Sequence, residues 1–191
     1  MNERSAVEFP FGGRLCLDFT WTVRFRAVRP TETLVAPRDL SAWLRQAGLP
    51  AAGAADDRDL VRARTLREAV YRAASAVAER RGIHARDREV LNRFAALAPP
   101  APSIGRDGRR RLVVPAGREC EAALGVIARD AIDLLTAGDG RLRRCEGPRC
   151  SLLFHDGSRP GTRRWCATAR CGNRVNTRSY RARKRGATDD G

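Results

Sequence analysis

The residues of this chain best suited to chemistry are four cysteines near its end, spaced Cys145-x4-Cys150-x15-Cys166-x4-Cys171. Two close pairs separated by a short insert supply what a tetrahedral Zn²⁺ requires. Each pair gives two thiolates from one tight turn, and the insert folds back to bring the turns together. Gly147-Pro148 supplies the turn of the first pair. The plainer alternative is four ordinary buried cysteines in a small core. Yet residues 141–185 offer almost nothing to bury beyond Leu152, Leu153, Phe154, Trp165, Val175 and Tyr180, and so short a stretch needs a staple to fold. One structural Zn²⁺ is therefore expected on Cys145, Cys150, Cys166 and Cys171, with iron as the competing metal. Four thiolates leave no open position for water, so hydrolysis at this metal is not expected.

Charge singles out the same stretch. The 191 residues carry 37 basic and 22 acidic side chains, a net of +15, and Lys184 is the one lysine. So much arginine is partly a compositional habit, and over residues 1–140 it is nearly balanced, 23 basic against 18 acidic. Residues 141–185 hold 14 basic residues against Glu146 and Asp156 alone, a net of +12. A compositional habit does not remove acids from one end, so the asymmetry points to a polyanionic partner. Four thiolates around Zn²⁺ carry −2, which lowers the working charge toward +10. Arg144, Arg149, Arg164, Arg170 and Arg174 flank the ligands and favour their thiolate forms.

Other candidates carry less. His155 is positioned to replace a cysteine, but a closed set of four thiolates makes a strand-surface histidine the better expectation. His84 reads as exposed near a helix start, and Cys16 and Cys120 as small buried hydrophobes. No Gly-rich phosphate loop, Ser-His-Asp arrangement or His-rich catalytic metal pattern is present. The N-terminus lacks a signal pattern, and the longest apolar stretch, Ala122 to Ala128, is far too short to span a bilayer. A soluble, cytoplasmic protein with no membrane partner is expected. In a reducing compartment clustered cysteines bind metal rather than pair.

The elements that would position the cysteines follow from periodicity. Leu15, Leu17, Phe19, Trp21 and Val23 alternate with polar residues and predict a strand with Cys16 and Asp18 on its other face. A short helix opens at Pro37 and stops at Gly48. A longer one follows Asp56-Asp57, carries Leu60, Ala63, Leu66, Ala69, Val70, Ala73 and Val77 with arginines opposite, and ends by Gly82. Further helices are expected over about 86–97 and through Ala123 to Leu135, with a hairpin at 103–114 between them. Gly138-Asp139-Gly140 reads as a hinge. Beyond it, Leu152 to His155 and Arg163 to Cys166 predict a hairpin, and the chain from Gly172 to Gly186 predicts a helix. The fold class is α+β: a mainly helical domain with a small β-sheet over 1–138, then a treble-clef-like zinc module over 139–191, core 141–185, ending in a basic helix.

These residues resemble known families. Phe154-x-Asp156-x-Ser158-Arg159, Arg163-Arg164-Trp165-Cys166-x4-Cys171 and the following Gly172-Asn173-Arg174 are similar to the CGNR zinc finger. Leu15-Cys-Leu-Asp-Phe19 and Pro37-x-Asp39-Leu40-x-x-Trp43-Leu44 resemble the ABATE domain that usually precedes it. The chain departs from the usual pattern at Trp21, Pro160 and Asn176. The resemblance implies a bacterial, stress-related transcription regulator. Its N-terminal part would sense a small-molecule effector or form homo-oligomers, and its zinc module would bind DNA.

On the expected last helix Arg174, Arg178, Arg181 and Arg185 recur at 4, 3 and 4 residues and line one face. With Arg163 and Arg164 they are the candidate nucleic-acid contacts, best matched to duplex DNA phosphates. RNA is the alternative, though Trp165 and Tyr180 are the only stacking rings there. An enzyme would need a polar pocket near Asp18 and Trp21, and no acid–base or nucleophile signature accompanies those residues; a non-enzyme is expected.

Overall fold

The computed structural model describes residues 9–49, 54–167 and 171–172. In chain order its elements are α1 (Leu15–Thr20), β1 (Val23–Arg24), β2 (Thr31–Glu32), α2 (Pro37–Gln46), α3 (Asp57–Ala78), α4 (Ala85–Ala95), β3 (Ala101–Ile104), β4 (Arg110–Val113), α5 (Glu119–Thr136), β5 (Leu142–Arg144) and β6 (Leu153–His155). They make a mainly helical body with three separate two-stranded antiparallel ladders. None of the described helices is long and apolar enough to cross a membrane.

The helix α3 sits at the centre, packed on α1, α2, α4 and α5 and also on β5 and β6. It starts where it does because Asp56 and Asp59 cap each other. The Asp56 carboxylate accepts from the Asp59 amide at 2.7 Å, and Asp59 accepts from the Asp56 amide at 3.3 Å. Its apolar stripe, Leu60, Ala63, Leu66, Ala69, Val70 and Ala73, is buried as the spacing predicts. Arg67 breaks the expected division of faces: it is 3% exposed. Its guanidinium donates to both oxygens of Glu32 at 2.7 Å, to Glu68 at 2.9 Å and to the Thr22 hydroxyl at 3.1 Å. That fork clamps the β1–β2 arm onto α3, and it is tolerated in the interior because its donors meet charged acceptors.

Residues 15–20 form a helix, not the predicted strand. Alternation identifies a strand only where one face meets water, and here Cys16, Leu17, Asp18, Phe19 and Thr20 are all buried. Their polar groups are satisfied inside. Thr20 donates to the Leu17 carbonyl at 2.7 Å and Thr22 to that of Phe19 at 2.8 Å. The hairpin expected near 103–114 forms as β3 against β4, with Ala101 opposite Val113.

The module beyond residue 138 also differs in its connections. β6 pairs with β5, a strand ahead of the first cysteine, and Leu142 lies opposite His155. The stretch Arg163–Cys166 expected as its partner is a loop, tied back where the Glu146 amide donates to the Arg164 carbonyl at 3.0 Å. Gly138 and Gly140 both stand at φ 65°, and Leu142 and Leu153 beyond them are buried in the main core. Beyond Gly172, the expected helix to Gly186, with Arg174, Arg178, Arg181 and Arg185, lies outside the described residues.

Candidate metal centre

The sulfurs of Cys145, Cys150, Cys166 and Cys171 all lie within 4.8 Å of one another. Cys166 Sγ is 3.9 Å from that of Cys150 and 3.8 Å from that of Cys171. These are not disulfide distances. A tetrahedron of thiolates about 2.3 Å from one ion has edges of about 3.8 Å, so the donor set fits Zn²⁺ in kind, number and spacing.

Local backbone chemistry gathers them. The Cys150 amide donates to the Gly147 carbonyl at 2.9 Å, closing the first turn. Cys145 Sγ accepts from the amides of Gly147 at 3.4 Å and Cys166 at 3.3 Å, which joins the two pairs. Gly147 is required for space: a Cβ there would stand 2.8 Å from Cys171 Cβ and 2.9 Å from its sulfur. Electrostatics point the same way. Hydrogen bonds from the Cys150 and Cys166 thiols, then from backbone amides, hold the Cys145 thiol well below the usual thiol range. Hydrogen bonding to that thiolate, with burial and like charge behind it, pushes Cys150 and Cys166 above the usual thiol range. Four sulfurs so close ionise together only around a cation.

The insert is held by Asp156, which is fully buried. Its carboxylate accepts from the Ser158 hydroxyl at 2.6 Å, the Ser158 amide at 3.0 Å and the Arg163 amide at 2.8 Å. Those bonds, the Ser158 hydroxyl foremost, hold it down to about 2. Arg141 in turn donates to the carbonyls of Asp156 at 2.9 Å and Ser158 at 2.6 Å. The loop between β6 and the second cysteine pair is thus closed on itself, which is why residues 163–166 do not run back along β6.

The centre is docked on the helical body. Trp21, 4% exposed, packs with Cys145, Leu152, Phe154, Cys166 and Cys171. Its indole donates to the Leu153 carbonyl at 2.8 Å. Arg26 donates its amide to the Ser151 hydroxyl at 2.9 Å, and the Tyr71 hydroxyl donates to the Ser151 carbonyl at 3.1 Å. Arg26 also forks onto Glu68 at 2.6 and 3.0 Å and lies over the Tyr71 ring at 4.1 Å. Arg144 reaches α3 at Glu79, 2.7 Å, and Tyr71, 3.2 Å.

Among residues singled out by sequence, the four cysteines come together and His155 does not join them: its ring pairs with Asp139 at 2.8 Å. Arg163 and Arg164 are exposed at the edge of the centre. Arg163 donates to the Cys166 carbonyl at 2.9 Å and lies over Phe154, while Arg164 pairs with Glu146 at 2.6 Å. His84 is exposed and caps α4, Cys16 is fully buried and Cys120 half-buried. Burial pushes Asp18 up to about 6 against the pull of the Gly12, Gly13 and Arg14 amides; its carboxylate accepts from Gly12 at 2.6 Å and is 3% exposed. It ties a loop together. Sequence reasoning named Trp21 but not its place against the cysteines, and it missed Ser151 and Tyr71, whose contacts are long-range. It also named Asp156, one of two acids in a basic run, without giving it a structural role.

Two family models match the chain in succession. The ABATE model, described as "Putative stress-induced transcription regulator", matches residues 13–138, and the CGNR zinc finger model matches residues 141–184. No curated protein matches the chain. The zinc-finger match and the four gathered thiols make the centre a single structural zinc site. With well over half of its 191 residues matched by the first model, the chain belongs to the ABATE family and carries a CGNR zinc finger after that region.

Proposed function

We propose that this protein is a DNA-binding transcription regulator of the bacterial cytoplasm rather than an enzyme, with the zinc module as its grip on the duplex. The observation that carries the reading is cationic charge left over around a metal-fixed frame. Residues 141–185 have a net of +12, and their two acids are consumed within the module, Asp156 buried in its own loop and Glu146 on Arg164. Arg149 and Arg159 are exposed and have no carboxylate partner among the described residues. Arg149 also stands at φ 65°, a left-handed conformation in which glycine is the easy choice. A side chain kept there at conformational cost supports a role outside the fold. Arg174, Arg178, Arg181 and Arg185 would add a row of phosphate contacts.

Fluorescence anisotropy with labelled duplex DNA across a salt series tests this. About five phosphate contacts give a log–log slope of about −4 to −5, and Arg178→Ala with Arg181→Ala makes it shallower by about 2. Arg149→Gly should weaken binding while leaving stability equal or higher. A flat salt dependence refutes the reading, and tighter binding of a structured RNA competitor replaces DNA by RNA.

A further inference from the structure

A cleft of about 730 Å³ opens between the second half of α3, the start of α4 and β5. Its volume suits a small molecule. Tyr71, Ser75 and Glu79 line it from α3, His84 and Arg86 from the start of α4, and Arg144 from the zinc module.

Two observations mark it as built for an occupant. Ser75, which lines the cleft, is 8% exposed, and its hydroxyl has no hydrogen-bond partner among the described residues. A mid-helix serine ordinarily returns its proton to the carbonyl one turn back. Left unpaired, a buried hydroxyl carries an uncompensated desolvation cost that a ligand atom would remove. The second observation is charge. Of the four arginines at the cleft, Arg72 is held by Asp87 at 2.6 Å, and Arg81 and Arg144 share Glu79. Arg86 is exposed and has no ion pair among the described residues. Four guanidinium groups face two carboxylates, and the first turn of α4, with its amide dipoles, adds to the positive side.

We propose that this cleft binds a small organic anion, its carboxylate or phosphate held by Arg86 and Arg144 and a polar substituent reaching the Ser75 hydroxyl. Glu79 and Asp87 disfavour a polyanion in the same place, so the occupant is a compact molecule and not a nucleic-acid strand. Because Arg144 adjoins Cys145, the ligand touches both the helical body and the zinc module. The inference goes beyond the nucleic-acid reading and stands without it.

The full-length zinc-loaded protein is titrated with salicylate, citrate and ribose 5-phosphate by calorimetry and amide NMR, with inorganic phosphate as the generic anion. The expected result is one-to-one binding of a carboxylate probe or the phosphate ester, tighter than inorganic phosphate, with shifts gathered on residues 71–87 and Arg144. Which probe binds identifies the anion class. Arg86→Ala weakens that binding about tenfold, and Ser75→Ala weakens it about fivefold while the free variant melts no lower than the parent. Both keep full zinc content. The proposal is overturned if no probe outbinds inorganic phosphate, if shifts spread over the basic surface, or if both variants bind as the parent does.

Discussion

Replacing Trp21 by phenylalanine separates a docked zinc centre from a tethered one. The indole of Trp21 donates to the Leu153 carbonyl at 2.8 Å. Along the β5–β6 ladder the cross-strand bonds fall at Cys145–Leu152 and Arg141–Asp156, and alternation leaves Leu153 at a position whose carbonyl points away from β5. Without the indole that carbonyl is a buried acceptor with no donor, which costs about 1–3 kcal/mol. The smaller ring leaves a gap beside the sulfurs worth about 1–2 kcal/mol more. The sum, about 3 kcal/mol, is a large share of a typical domain stability. Urea unfolding followed by circular dichroism should show that loss. Because the ring covers the cysteines, zinc transfer to an absorbing chelator should also accelerate by at least about tenfold, the equivalent of 1.4 kcal/mol. If stability falls while zinc leaves at the parental rate, the centre holds itself together and the coupling inferred from Trp21 is wrong.

Two further outcomes follow from the geometry. Gly147→Ala places a methyl 2.8 Å from Cys171 Cβ and 2.9 Å from its sulfur, so the purified variant should hold well under one zinc per chain by atomic absorption; full occupancy would show that the turn has room to move. For pH, Asp18 has its folded pKa raised to about 6 from 3.8 by burial. The folded state binds the extra proton between those values, so Asp18 stabilises the fold at low pH and that stabilisation fades as pH rises through about 6. The full span is worth about 3 kcal/mol. Asp18→Asn should therefore remove a decline in stability between about pH 4 and pH 7, measured as the difference between parent and variant urea midpoints. A difference of zero at every pH would contradict the assignment.

What was legible in the sequence tracks contact with water. The helices α2, α3, α4 and α5 and the β3–β4 hairpin each show a solvated side, so their periodicity or turn residues locate them within a few positions. The cysteine centre was legible because ligand spacing encodes geometry directly. Helix α1 was not: buried on every side, its alternating pattern reports composition rather than a face. The partner of β6 was not legible either, because 152–155 is equally apolar whichever strand it meets. That choice is made by Asp156, which closes the following loop through Ser158 and Arg163, and by Leu142, which the main core takes in. Arg67 reads as one more surface arginine until Glu32 and Glu68 are seen to meet it.

The ladder of β5 and β6 explains why family boundaries at 138 and 141 do not mark a structural gap. Side chains alternate across a strand, and here the alternation serves two interiors. Leu153, with Leu142 of β5, enters the helical core, whereas Leu152 and Phe154 face the cysteine cluster with Trp21. The ladder is a wall shared by both. The same three-residue strand that brings Phe154 to the metal centre's apolar lining also completes the surface on which α1 and α3 pack. An insertion at Gly138–Gly140 would lengthen the connection yet leave the wall in place. A polar residue at Leu153 would open the helical body while leaving all four thiols in the chain. Helix α3 is therefore joined to the zinc module directly through packed side chains, with Tyr71, Arg144 and Ser151 as the polar contacts between them.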